Sequence, residues 1–227
     1  MYERTFSPEA LIGRLTAHEE KNAPAKLWIR GDRSLLKRGP RVSIVGSRNA
    51  SRDGLRRAAT LARQLVDRKA IVVSGLARGV DTVAHREAIA AGGSTVAVIG
   101  TGLDIAYPRE NGRLQEEIAA DHLLVTQFRH GTPPRGANFP QRNRTMAMLS
   151  DATVIVAASE KSGTKHQAFE ALRMGRLVLI AEPVAEDPDL SWPKEAIKYG
   201  AQVLSGENFK PIVKRIAHLT VDIQLPV

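Results

Sequence analysis

Residues 41–85 read RVSIVGSRNASRDGLRRAATLARQLVDRKAIVVSGLARGVDTVAH, and this stretch decides the fold. Arg41–Val45 is a short β-branched run that ends at Gly46, the pattern of a strand buried on both faces. After it, Leu55, Ala58, Ala62, Leu65 and Val66 recur at helical spacing, while Arg52, Arg56, Arg63 and Arg68 fall away from that face. Asn49 and Ser51 stand where the helix needs a cap. Ala70–Val73 is a second β-rich run, closed by Ser74-Gly75. A helix over Thr82–Ala91 is expected next, capped by Asp81 and ended by Gly92-Gly93. Strand, helix and strand at this spacing imply crossover helices packed on a parallel sheet.

The same alternation continues outward. Thr95–Ile99, His122–Thr126, Thr153–Ala157 and Leu177–Ile180 read as further buried strands, with helices over Arg142–Leu149 and Lys165–Met174. The expected class is therefore α/β: a doubly wound, mainly parallel sheet with helices on both faces. Residues 41–185 form the core of this reading. Residues 1–40 are a lead-in with a helical piece around Pro8–His18 and a strand at Leu27–Arg30. Residues 186–227 are an extension of helix, short strand and helix that completes the fold.

Composition narrows the function. The chain has 227 residues and no cysteine, which removes disulfides, thiolate nucleophiles and Cys-based metal sites. No apolar run approaches the roughly 20 residues that cross a bilayer, and MYERTFSPEA lacks the layout of a secretory signal. A cytoplasmic protein without membrane contact is expected. The six histidines stand at 18, 85, 122, 130, 166 and 218 with no H-E-x-x-H, so neither a metal nor a cofactor is expected. Net charge is +9, and Arg30–Ala70 alone holds twelve basic residues against three acidic ones. His122–Ser150 adds Arg129, Arg135, Arg142 and Arg144 with no acid. A polyanionic partner is the natural reading.

In open α/β sheets ligands sit beyond the carboxyl ends of the strands. Here the first end is Gly46-Ser47-Arg48, which offers close backbone approach, a hydroxyl and main-chain N–H, and a guanidinium for phosphate. The second is Ser74-Gly75-Leu76-Ala77-Arg78-Gly79-Val80-Asp81, where two glycines flank a turn that aims backbone N–H groups outward, with His85 read as a buried histidine bonded to a neighbouring loop. The third, Gly100-Thr101-Gly102, lacks the third glycine and the spaced acid of a dinucleotide fingerprint. Phe139 stands before Arg142-Asn143-Arg144, an aromatic stacking platform beside phosphate donors. Ser162-Gly163-Thr164 opens another helix and is a ready anion site, but Gly163-Thr164-Lys165 is no Walker A loop.

Taken in order, these loops resemble the DprA/Smf family of bacterial DNA-processing proteins. The matching pieces include Val45-Gly46-Ser47-Arg48, Ser74–Asp81 with Ala84-His85, and Gly100–Asp104 with Tyr107-Pro108. Phe139-Pro140 with Arg142-Asn143-Arg144, Ser162-Gly163-Thr164 and Gly175-Arg176 complete the series. The resemblance implies an extended Rossmann-like fold, a groove for single-stranded DNA, assistance in loading the RecA recombinase, and work as a homodimer. Carried over, it places Gly46, Ser47, Arg48, Phe139, Arg142, Asn143 and Arg144 in that groove, with the Ser74–Asp81 loop beside them. Departures are Thr126-Gln127, Ala157-Ala158, Gln167 and Glu182-Pro183-Val184 where the family has other residues. Many members also carry a C-terminal winged-helix domain, for which this chain is too short.

Two other readings use the same loops. One is a sensor of a nucleotide-derived signal, held in the glycine-rich pocket without chemistry. The other is an enzyme similar to the LOG-type nucleoside-monophosphate phosphoribohydrolases, which carry G-G-x-G-T-x-x-E. Here Gln167 occupies the Glu position and cannot act as a carboxylate base, although Glu170 lies one turn away.

Overall fold

The computed structural model describes residues 4–160 and 162–218. The lead-in folds as β1 (Arg4–Phe6), α1 (Pro8–Ile12), α2 (Ala17–Asn22) and β2 (Leu27–Gly31). The first crossovers follow: β3 (Arg41–Val45), α3 (Arg52–Val66), β4 (Ile71–Ser74), α4 (Val80–Ala90), β5 (Thr95–Ile99), α5 (Gly112–Asp121) and β6 (Leu123–Thr126). The chain then returns through α6 (Asn138–Met148) to β7 (Ala152–Ile155), α7 (Thr164–Arg173), β8 (Leu177–Ala181) and α8 (Glu182–Ala185). It ends in α9 (Pro193–Lys198), β9 (Gln202–Leu204) and α10 (Phe209–His218).

Among the described residues, nine strands join one sheet in the order β1-β2-β6-β5-β4-β3-β7-β8-β9. β1 and β2 pair antiparallel, and β2 runs antiparallel to β6, while the other pairings are parallel. The period-two geometry of strands sends alternate residues to opposite layers. Val72 faces the side covered by α3, α4 and α10, whereas Ile71 and Val73 face the side covered by α1, α6, α7 and α9. Both faces are thus covered, which is why the central strands are apolar throughout rather than alternating.

Local chemistry explains the element ends. Ser51 caps α3 by accepting from the Gly54 N–H at 3.2 Å. The expected helix at Pro8–His18 is two helices, because Gly13 turns at φ +87° and Thr16 opens α2 with a capping box to Glu19. α6 begins at Asn138, four residues before the expected start, since Pro140 sits in its first turn where no intrahelical N–H is required. α4 begins at Val80 with Gly79 as its cap, so Asp81 lies inside the helix rather than capping it. His85 is buried as expected, but its Nδ1 partner, 2.7 Å away, is Thr95 Oγ1 on strand β5 rather than a loop residue.

Candidate nucleic-acid interface

β3 sits between β4 and β7, and the chain winds away from it in both directions. Such a switch point leaves a crevice beyond the carboxyl ends of the strands. Two adjoining cavities open there, and Arg48, Asn49, Ala77, Phe139 and Arg142 line both.

The first cavity, of about 410 Å³, lies beyond β3 and β7 and carries Gly46, Ser47, Asp81, Asn143, Ser162, Gly163 and Thr164 on its walls. The N-terminus of α7 opens onto it at Gly163, without a side-chain cap, so its partial positive charge faces the space. Asn143 Nδ2 donates to the Gly163 carbonyl at 3.4 Å and ties α6 to this loop. The second cavity, of about 650 Å³, lies beyond β4 and β5 and is walled by Gly75, Arg78, Gly100, Tyr107, Arg109 and Glu110.

Arg142 is the pivot of the site. Its side chain is buried, Nη1 donating to the Val98 carbonyl at 3.1 Å and standing 3.9 Å from Asp81 Oδ2. Burial disfavours both charges, pushing the Asp81 carboxyl up and the Arg142 cation down, and each partner opposes the shift of the other. A β-carbon at Gly75 would overlap Arg142 Nη1, so this glycine makes the room for the guanidinium. Arg48, by contrast, is exposed, and its guanidinium carbon lies 5.1 Å from the centroid of the Phe139 ring. Tyr107 joins the same cluster, its ring 5.6 Å from Phe139 at 37°. The partition between the two cavities is therefore a cation stacked on an aromatic face, accessible from both sides.

Residues 8–217 match the family model described as DNA recombination-mediator protein A. The chain belongs to that family. Among its curated relatives, the DNA processing protein DprA of Bacillus subtilis is 36% identical over 181 residues, 80% of this chain and 61% of the relative. DprA of Streptococcus pneumoniae is 41% identical over 155 residues, 68% and 54% of the two chains. This mediator-family chain thus spans little more than half the length of those relatives. Of the solved structures, DprA from S. pneumoniae superposes with a TM-score of 0.78 at 34% identity, over 92% of this chain and 73% of that one. The Helicobacter pylori DNA processing protein A, solved for its single-stranded DNA binding mode, gives 0.78 at 26% identity over 94% and 95%. A molybdenum cofactor binding protein from Rippkaea orientalis, at 19% identity and 0.57 over 79% and 98%, shares the fold alone.

Against this frame of the mediator family, the placement of the sequence-derived residues is uneven. Gly46, Gly75, Arg142 and Gly163 lie around one continuous site. Ser74, Leu76, Gly79, Gly102 and Arg144 line neither cavity. The Ser74 hydroxyl donates to the Ile44 carbonyl at 2.8 Å, and Leu76 is core, held at φ +56°. Gly79 turns at φ +73° under the Ser47 and Arg48 carbonyls. Gly102 N donates to the Thr132 carbonyl at 2.9 Å. Arg144 points to α7, where Nε donates to Glu170 at 2.8 Å.

Three expected mechanisms change as well. A β-carbon at Gly46 would stand 2.5 Å from Val80 Cγ2, so that glycine admits α4 rather than a ligand. The Ser47 N–H donates to the Ala157 carbonyl at 3.1 Å, and the Ala77 N–H to Asp81 at 3.3 Å. Cationic side chains, more than these amides, therefore carry the electrostatics. Sequence reasoning missed Arg109, Glu110 and Pro134 as wall residues, and Tyr107 was visible only within the quoted motif. Nothing in the local pattern of Arg109 and Glu110 marks them, because they reach the wall on a short 3₁₀ turn at Arg109–Asn111, fastened by Asn111 Nδ2 to the Leu76 carbonyl at 2.9 Å, while Pro134 comes from the loop between β6 and α6.

Proposed function

We propose that this chain binds single-stranded DNA along the rim formed by the ends of β3, β4, β5 and β7, and serves DNA processing without catalysing a reaction. The observation that carries this reading is the Arg48–Phe139 partition between two cavities. An exposed guanidinium can hold a backbone phosphate while the ring beside it offers a face to an unstacked base, the pairing that flexible single strands require. The single-stranded DNA binding named for the H. pylori relative supports the same ligand. A hydrolase reading loses its carboxylate: Glu170 is engaged by Arg144 and Arg173 at 2.8 and 2.9 Å and lines neither cavity, and Gln167 is buried. Among the described residues no helix is long and apolar enough to cross a membrane. A cytoplasmic setting, assembly as a homodimer and delivery of the strand to RecA complete the proposal, on the strength of the family resemblance.

The test is a binding titration of single- and double-stranded oligonucleotides across a salt series, with wild type and Arg48→Ala. Single strands are expected to bind more tightly, with log K falling by about 0.7 per phosphate neutralised for each unit of log salt. Arg48→Ala should weaken binding to all sequences and flatten the slope by about that amount. An unchanged slope would overturn the assignment of Arg48.

A further inference from the structure

The rim does not end at β5. β6 continues it, and β2, running antiparallel to β6, brings its own N-terminal end to the same edge, with Trp28 opposite Thr126. A separate cavity of about 500 Å³ opens there, lined by Thr5, Lys26, Trp28, Gln127 and Arg129 among others. From this geometry we infer a second stacking site for single-stranded nucleic acid at Trp28, with Lys26 and Arg129 as its phosphate contacts.

Four observations carry it. First, the chain has two tryptophans, and they differ sharply: Trp192 is fully buried, whereas Trp28 is half-buried. Trp28 packs against the cluster of Ile118 and Leu124 and also lines the cavity. An aromatic held by core packing at the border of a cavity offers a stacking surface for a base. Second, Lys26 and Arg129 are both exposed on the walls, so the cavity is cationic as well as aromatic. Third, the segment joining it to the groove, Gln127 to Ala137, contains Arg129 and Arg135 and no acid. Asp104 from outside fastens this segment by accepting from the Gly131 N–H at 2.9 Å. Fourth, the two sites are mechanically joined. Gln127 bonds Thr145 and, at 3.2 Å, Gln141, both on the helix that carries Phe139. Across the sheet, β5 and β2 are two strand spacings apart, about 10 Å, within the reach of one strand of DNA.

The inference rests on the reading of the groove as a single-stranded DNA site, and the experiment separates the two. Oligothymidylates of about four and about sixteen nucleotides, the span of single-strand site sizes, are titrated against wild type, Trp28→Ala, Trp28→Phe and Arg129→Ala. Trp28→Ala is expected to lose about tenfold in affinity for the long strand relative to the short one, and Trp28→Phe to recover most of it. Arg129→Ala should reduce the salt slope for the long strand by about 0.7. The wild-type protein, with no substitution to disturb its fold, should show tryptophan emission quenched by the long strand. A long-to-short ratio unmoved by Trp28→Ala, or emission unmoved by saturating long strand, overturns the second site while leaving the groove intact. Concentration-dependent self-association that Trp28→Ala abolishes, with the ratio unmoved, assigns the surface to contact between copies and equally overturns it. Failure of the wild type to bind either strand removes the groove reading itself.

Discussion

At position 85 an imidazole stands where water does not reach, hydrogen-bonded to Thr95. Burial holds its pKa at about 3, against 6.5 for the free side chain. Between those values the unfolded chain takes up a proton that the folded chain refuses. Stability present above about pH 6.5 is therefore lost as the pH falls toward 3, at up to about 1.4 kcal/mol per pH unit. Asp81 acts in the other sense: burial raises its carboxyl, and its share of stability is lost as the pH rises through the carboxylate range. The contribution of His85 is thus best read as a difference. Urea unfolding of wild type and His85→Gln from about pH 7 to about pH 4 should give a steeper decline for the wild type, and parallel curves would show that His85 is not held neutral. The glycines make a related point at the same scale. Gly46 reads in the sequence as a residue that a ligand approaches closely, and Gly75 as one flank of a turn. The neighbours turn out to be Val80 and Arg142, which no local pattern names.

Among the elements, α6 sorts the site most clearly. Phe139, Arg142, Asn143 and Met146 recur at i, i+3, i+4 and i+7 and all line the cavities, while Arg144 falls on another face and pairs with Glu170. The motif Arg142-Asn143-Arg144 reads as one phosphate clamp only while its helix is assumed to begin at Arg142. Once the first turn is moved back to Asn138, helical geometry separates the two arginines. Phe139→Ala should therefore weaken single-strand binding by about 1–3 kcal/mol, the worth of a stacked base, while Arg144→Ala stays within about 0.5 kcal/mol of wild type. Anisotropy titrations at one salt concentration check this, and equal losses for the two variants would contradict the assigned faces. The central strands were legible because short β-branched runs bounded by Gly, Ser or Thr suit strands buried on both faces. β3 and β5 match the expected bounds, and the other four central strands lie within two residues of theirs. α5 was not read, since its buried positions include Gln115 and its apolar face is narrow. β1 was not read either, because three residues at an edge carry too little pattern.

For the whole molecule, the arithmetic of charge points to the partner proposed above, but for an incomplete reason. The basic window from Arg30 to Ala70 looks unbalanced only in one dimension. Folding brings Glu116 to Arg30 and Asp151 to Arg41, and sets Glu87 against Arg63, so distant acids pair three of the window's twelve basic residues. Arg38 and Arg56 pair nearer by, with Asp32 and Asp53. Of the window's basic residues, Arg48 lines the two groove cavities, while Arg142 comes from α6, far along the chain. The position of the candidate site was therefore legible from the succession of strand-end motifs, whereas its electrostatics required the fold. A groove assembled from loops after four different strands exists only in the folded chain, so its ligand must stabilise the whole molecule. Single-stranded oligonucleotide at about 100 times its Kd should add about 2.7 kcal/mol to unfolding, measured by urea titration. Arg48→Ala should gain less at the same concentration, because its Kd is higher. AMP at that concentration should also gain less, since one nucleotide fills one of two cavities and forgoes the contacts of a continued strand. An equal or larger gain from AMP would make the mononucleotide the ligand, and the cavities a sensor pocket in place of a DNA track.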